Sequence, residues 1–301
     1  MSSRKTLSVF YLVGAISLIY SIYSALILHG TYFYTFFAFG SWLVFDLVDY
    51  AIRKHSLLNY FLRPDHRDAF IFALMAALIS FFIVDYELGV NLSGMWKWTN
   101  INNTWYLISM FLIMNASFVF SMYELHQIIR SLIKFIFGTK SKFNKNYHFH
   151  KSSKILIILG LLMVVSAFSY FILGYKEHAS FVMILPFFGM FLIIDMSNYI
   201  LGGPSLLFNI IKLNFSELTS LVMTTLMATF ITEWLNLFSN EWTYVQLPFR
   251  NITFLQIPLS LYIGWFGLIL LSIGIIDLIQ RIDKIKDDDR ISFVSEIRKR
   301  R

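Results

Sequence analysis

Long apolar stretches broken by short polar ones dominate the chain. About 20 consecutive apolar residues are enough for a helix to cross the hydrocarbon core of a bilayer. Eight such windows are read: 7–29, 33–53, 68–88, 103–131, 154–175, 179–201, 214–238 and 253–283. The fourth and eighth are long, so their ends are expected to project from the bilayer or to tilt. The first and second windows, and the fifth and sixth, are joined by very short turns, "HGTY" and "YKEHAS". The pattern predicts an all-α polytopic membrane protein.

The polar breaks repeat. "ELGVNLSGMWKW" (87–98) and "EWLNLFSNEWTY" (233–244) both carry Glu first, Ser seventh, Trp tenth and an aromatic twelfth. Upstream, "FGSWLVFDLVDY" (39–50) matches "FGMFLIIDMSNY" (188–199) with a shift of 149 residues. The same shift carries His29 to His178 and "SLL" at 56–58 to "SLL" at 205–207. After a three-residue shortening assigned to the next loop, a shift of 146 aligns Glu87 with Glu233, Ser93 with Ser239 and Trp96 with Trp242. Hydrophobicity alone does not force His, Asp, Glu, Gly or Trp to recur. The chain therefore reads as two parallel four-helix repeats related by a pseudo-two-fold axis along the membrane normal. The first spans 1–131 and the second 154–283, with a basic linker at 132–153 and a charged tail at 284–301.

Composition sharpens this picture. The chain is 57% hydrophobic, 18% aromatic and 14% charged, against about 25% charged in ordinary globular domains. The formal charge of +7 is a matter of loops, not of nucleic acid. Basic residues concentrate at the N-terminus (Arg4, Lys5), at 53–68, at 130–154 and in the tail. The alternate connections hold only Lys97, Lys176 and Arg250. By the positive-inside rule both termini are cytoplasmic, and both copies of the Glu-to-aromatic stretch lie at the outer face. The first apolar run lacks a small-residue cleavage site and reads as a retained helix. The expected location is integral to a prokaryotic cell membrane. With no Cys, disulfides, thiolate metal sites and Cys nucleophiles are excluded. No phosphate-binding glycine loop, nucleophile elbow or redox motif occurs.

Ionisable residues within spans are expensive and usually face an interior or a cavity. Here they are Asp46 and Asp49 in the second window, Asp195 (with Asn198) in the sixth, Asp85 and Glu87 at the end of the third, and Glu233 at the end of the seventh. Glu124 with His126, and Asp277, lie near inner helix ends. Asp46 and Asp195 are candidate site residues, with pairing to loop Arg and Lys as the plainer alternative. His29 and His178 sit in outer turns, and solvation is their plainer role. Trp96, Trp98, Trp242 and Tyr244 are candidate substrate contacts, with membrane-interface anchoring as the alternative. No helix carries metal ligands at the usual spacing, and "HFH" at 148–150 stands in a basic loop, so neither a metal nor a cofactor is expected.

At "ELGVNLSGMWKW" the chain resembles the membrane lycopene cyclases built from small helical repeats. In these an acid at a helix end precedes a Gly-x-Trp-x-aromatic turn, a helix starting Leu-Pro, and a closing Tyr-Glu. Glu87, Gly94, Trp96 and Trp98 match the first part and Tyr123–Glu124 the closing pair. In the second copy Glu233, Trp242, Tyr244 and Pro258 match, and Asp277 replaces the closing Glu. The stretch "IPLSLYIGW" is also similar to a helix of the carotenoid hydratases. The cyclases' paired glutamates after the Pro have no counterpart: Ser260 stands near that place in one copy, Leu107 and Ile108 in the other.

The resemblance implies a long isoprenoid lipid as substrate, with Glu87 or Glu233 as the acid that protonates a double bond. The chemistry would be that of a hydratase- or cyclase-like lyase or isomerase, and the aromatic faces would stabilise the carbocation. The alternative class is non-enzymatic: a membrane subunit of a larger complex, a scaffold, or a lipid- or solute-binding transporter-like protein.

Overall fold

The computed structural model describes residues 3–30, 32–100, 102–138, 150–175, 178–212, 214–245 and 247–299. The linker lysines Lys140, Lys142 and Lys145, most of the "HFH" stretch, Lys176 and the terminal Arg300 and Arg301 lie outside these residues.

The first half runs α1 (Ser3–Tyr23), α2 (Phe33–Arg53), the short α3 (Leu57–Phe61), α4 (Arg67–Phe81), strand β1 (Trp96–Trp98), α5 (Thr104–Ser109) and α6 (Asn115–Phe137). Among the described residues three π-helical segments interrupt it: π1 (Ser24–Leu28), π2 (Phe82–Leu92) and π3 (Met110–Met114). The second half runs α7 (His150–Ile172), α8 (Ala179–Val182), α9 (Ile184–Ile200), the short α10 (Leu206–Ile211), α11 (Phe215–Ser239), strands β2 (Trp242–Tyr244), β3 (Thr253–Phe254) and β4 (Ile257–Pro258), and α12 (Leu259–Lys299).

Among the described residues seven helical stretches are long and apolar enough to cross a membrane: 6–28, 33–53, 64–92, 104–137, 152–172, 215–239 and 259–286. The protein is a helical membrane protein. The sixth expected window is occupied by α8 and by α9, which has only 17 residues. The eighth starts later than expected because 253–258 is a two-stranded turn, Thr253 pairing with Pro258 and Phe254 with Ile257.

Helices α6 and α12 form the mostly buried centre, while α1 and α7 face largely outward. Helix α1 packs on α2 and α7 on α9. Glycine allows both approaches. A Cβ at Gly40 would stand 2.5 Å from the backbone nitrogen of Leu18, and one at Gly189 would stand 2.7 Å from the Gly160 carbonyl oxygen. Small residues at helix contacts are the usual device where lipid supplies no hydrophobic drive between helices.

At the far ends of α2 and α9 the same polar knot is tied twice. Asp46 accepts hydrogen bonds from Ser56 Oγ at 2.8 Å, Leu58 N at 2.6 Å and Tyr11 OH at 3.0 Å. Asp195 accepts from Ser205 Oγ at 2.6 Å, Leu206 N at 2.8 Å and Leu207 N at 3.1 Å. Ser56 and Ser205 are themselves the N-caps of α3 and α10. Each aspartate thus supplies acceptors to the open first turn of a short helix. Among the described residues neither Asp46 nor Asp195 forms an ion pair with a loop cation, while Asp49 pairs with Arg53. Glu124 accepts from Leu57 N at 2.5 Å, and Glu217 sits between His126 and Arg130.

Candidate functional site

Strands β1 and β2 come from opposite halves and pair antiparallel: Trp96 with Tyr244, Lys97 with Thr243, and Trp98 with Trp242. Side chains alternate across a strand. Trp96, Trp98, Trp242 and Tyr244 therefore share one face, and the exposed Lys97 and Thr243 share the other. The ribbon is pinned to the helix ends. The Asn236 amide donates to the Trp242 carbonyl at 2.9 Å and accepts from Trp242 N at 3.2 Å. Ser93 Oγ donates to Gly89 O at 2.9 Å and accepts from Met95 N at 3.3 Å. Gly94 (φ 63°) and Asn240 (φ 50°) turn the chain into the two strands. Gly and Asn are the residues that enter this left-handed region most readily.

Beneath the ribbon lies an aromatic layer. The Trp242 ring is 5.2 Å from Trp98, 5.0 Å from Tyr34 and 5.7 Å from Phe33, centre to centre. Phe118 meets Trp265 edge-on at 5.5 Å. Such offset and edge arrangements are the favoured aromatic geometries.

Carboxyl groups are set into this layer, each held by neutral donors. Asp85, on π2, accepts from Trp96 Nε1 at 2.8 Å. Glu233, on α11, accepts from Tyr244 OH at 2.6 Å and from Trp265 Nε1 at 2.9 Å. Trp242 Nε1 donates to Tyr244 OH at 3.1 Å, extending that chain. Glu241, between α11 and β2, accepts from Tyr34 N at 3.0 Å and so caps the first turn of α2. Burial raises the Glu241 carboxyl to about 7, against the lowering effect of the backbone N–H groups that face it.

A cavity of about 160 Å³ opens among these groups. Its wall is almost wholly apolar and aromatic, including Trp98, Phe118, Trp242 and Trp265. Away from the ribbon the polar side chains that meet it include Asp85, Asn115, Ser260 and the tyrosine Tyr34. The rim holds Phe181, Phe249 and Ile263, which are 50%, 58% and 44% exposed. An apolar cavity on the order of 150 Å³ stays dry and takes an aromatic ring. This one therefore has room for a small apolar group, and its open side is the apolar rim.

Trp96, Trp98, Trp242 and Tyr244 all line the cavity. Glu233 reaches it through Tyr244, which lines the wall. Glu87 is half-buried and outside the lining, and Asp85 stands there instead. Asp46 and Asp195 tie the knots at the other end of α2 and α9. From the ribbon end of α2 to Asp46 is about 18 Å at 1.5 Å per residue. Exposed His29 donates from Nδ1 to Phe238 O at 2.9 Å, and His178 precedes α8, its N–H donating to Tyr170 OH at 3.3 Å. Neither histidine lines the cavity. Asn115 and Glu241 were not among the residues expected at the site. Among the described residues no group of three or more His, Asp or Glu is placed to hold a metal ion.

No protein-family model, curated protein or solved structure matches the chain.

Proposed function

We propose that this protein takes the unsaturated end of a long isoprenoid lipid into the cavity under the ribbon. Asp85 and Glu233 are the candidate acids for hydration or cyclisation of a terminal double bond. The observation that carries this reading is the presence of the Asp85 carboxyl in the wall of an otherwise aromatic and aliphatic cavity. A carboxylic acid would give its proton to one carbon of the double bond and leave a tertiary carbocation on the other. Water would then add its oxygen to that carbon and return a proton to the carboxylate. In a cyclisation, an internal double bond would attack and a C–H proton would be returned instead. Trp98, Trp242 and Trp265 offer faces to the cation.

The architecture proposed with it is eight crossings in two four-helix units, with α8 and α9 as the sixth crossing and both termini cytoplasmic. Three observations support it. A shift of 149 residues carries the Asp46–Ser56 knot onto the Asp195–Ser205 knot. A shift of 148 carries Asp85 onto Glu233, each a carboxyl that accepts from an aromatic residue of the strand in its own half. A shift of 146 makes Lys97 equivalent to Thr243, and these two pair with one another at the centre of the ribbon. A ladder centred on two equivalent residues is what a two-fold axis through that pair would generate. The step from 148 to 146 falls inside π2, whose wider turns absorb extra residues.

The test is incubation of the purified chain in lipid nanodiscs with isoprenoids bearing a terminal double bond, with products read by mass spectrometry. Conversion is expected, and is expected to fall by about 10²-fold or more in Asp85→Asn or Glu233→Gln. Gly264→Phe should abolish binding, because Gly264 lines the cavity and a Cβ there meets nothing within 4 Å. Tight binding without conversion in the wild type would favour the non-catalytic reading, a lipid-holding membrane subunit. Binding unaffected by Gly264→Phe would sink both.

A further inference from the structure

The polar groups of the cavity wall do not all face one another. Asn115 is 1% exposed and lines the cavity, yet its Nδ2 has no hydrogen-bond partner among the described residues. Ser260, on the first turn of α12, also lines the cavity with a buried Oγ that has no such partner. These two groups come from different helices. A buried amide N–H left unpaired is rare in folded proteins and calls for an explanation.

The local backbone at Asn115 is unusual as well. Asn115 follows π3 directly, and its N–H bonds to Met110 O, five residues back. Asp85 lies within π2. One polar side chain of the wall thus lies in π-helical backbone and another directly follows it, a rare winding that is frequent at functional sites. A regular α-helix would rotate each of them by roughly a quarter turn per inserted residue.

The chemistry of the wall also selects by charge. Among the described residues no Lys, Arg or His lines the cavity. A carboxylate or phosphate head would therefore be buried without a countercharge, which is strongly unfavourable. The N–H groups of Asn115 call instead for a neutral acceptor, and the Ser260 hydroxyl is a second donor in the same wall.

From these observations we infer that the enclosed, unsaturated end of the ligand also carries, beside its double bond, a neutral oxygen, a carbonyl or a hydroxyl, that accepts a hydrogen bond from Asn115 Nδ2. The ligand class is an oxygenated isoprenoid, not a pure hydrocarbon. This inference rests on the proposal that the cavity takes an isoprenoid at all.

The experiment uses three probes with one carbon skeleton: farnesal, farnesol and the hydrocarbon farnesene. Each is titrated into the full chain in nanodiscs, and binding is read from the fluorescence of the tryptophans that line the cavity. The wild type is expected to bind farnesal or farnesol about tenfold more tightly than farnesene, a difference of about 1.4 kcal/mol. Asn115→Leu, close in size but without donors, is expected to lose that preference and to bind farnesene at least as well as the wild type does. Ser260→Ala is expected to narrow the preference by a smaller factor. If Asn115→Leu does not fold, the wild-type comparison and Ser260→Ala decide the matter. Equal wild-type affinity for all three probes would overturn the inference and leave isoprenoid binding standing, as would a preference that survives Asn115→Leu. Binding of none of them would overturn the isoprenoid proposal itself, and this inference with it.

Discussion

The indole of Trp96 rests against the backbone of Gly89. A Cβ built on Gly89 would stand 1.9 Å from Trp96 Cζ2, well inside van der Waals contact. This close approach lets Trp96 fold back over π2 and donate its Nε1–H to Asp85 at 2.8 Å. The glycine is therefore as much a part of the site as the acid. Gly89→Ala is expected to displace the Trp96 ring, break the bond to Asp85 and lower stability by about 1–3 kcal/mol, the usual scale of overpacking. Thermal unfolding in nanodiscs reads the stability. The tryptophan emission maximum reads the ring's movement, and an unchanged spectrum would refute it.

Gly264 presents the opposite case. A Cβ there meets nothing within 4 Å, and the residue lies inside α12. Gly264→Ala is expected to stabilise the protein by up to about 1 kcal/mol through helix propensity. It should also weaken binding of any bulky end group. A paired measurement of melting temperature and probe affinity checks both signs at once, and a fall in melting temperature would contradict the open space seen here.

Glu241 predicts a pH dependence. Its carboxyl is raised to about 7 in the folded protein, mainly by burial. The folded state then holds this proton over a pH range where the unfolded state has released it. Stability attributable to this group is fully present below its unfolded value of about 4.3. It is lost as pH rises through about 7. Melting temperature should therefore decline over that interval. In Glu241→Gln, which keeps an acceptor for Tyr34 N, the decline should be shallower. Equal slopes for the two proteins would show that Glu241 is not the group responsible.

The aspartates at the other end are expected to act on stability alone. Asp195→Ala removes the acceptor for Ser205 Oγ and for the Leu206 and Leu207 N–H groups. Loss of such a cap typically costs about 1–2 kcal/mol. Ligand affinity measured well below the melting temperature should stay at the wild-type level. A tenfold loss of affinity would bring Asp195 back as a site residue.

The glycine pair at the contact of α7 and α9 gives a last prediction. Gly189→Val would press on the Gly160 carbonyl oxygen, which even a Cβ would approach to 2.7 Å. It should destabilise the protein more than Gly189→Ala, as read by the fraction that stays monodisperse after heating. Equal tolerance of the two would mean that the helices separate freely.

Much of this fold is legible in the chain before it folds. Spans follow from hydropathy because lipid penalises any backbone group left unpaired, so an apolar run of sufficient length has little choice but to be a helix. The stretches 87–98 and 233–244 mark the place where the site is built, and their Trp and Tyr residues do line the cavity. Gly94 and Asn240 were also readable as left-handed turn residues, each eighth in its stretch.

The choice between Asp85 and Glu87 was not readable. The 146-residue repeat aligns Glu87 with Glu233, but π2 winds more residues into each turn, and it is Asp85 that lines the cavity. A π-helix has no residue signature of its own, since it depends on what packs against it. The same holds for Asn115, which looks like one more polar residue until π3 turns it inward. The pairing of Trp98 with Trp242, and the bond from Trp265 to Glu233, join positions 144 and 32 residues apart. Local periodicity carries membrane helices and a recurring aromatic turn. Contacts between distant segments set which acid faces the cavity, because backbone winding and strand pairing answer to packing across the whole bundle.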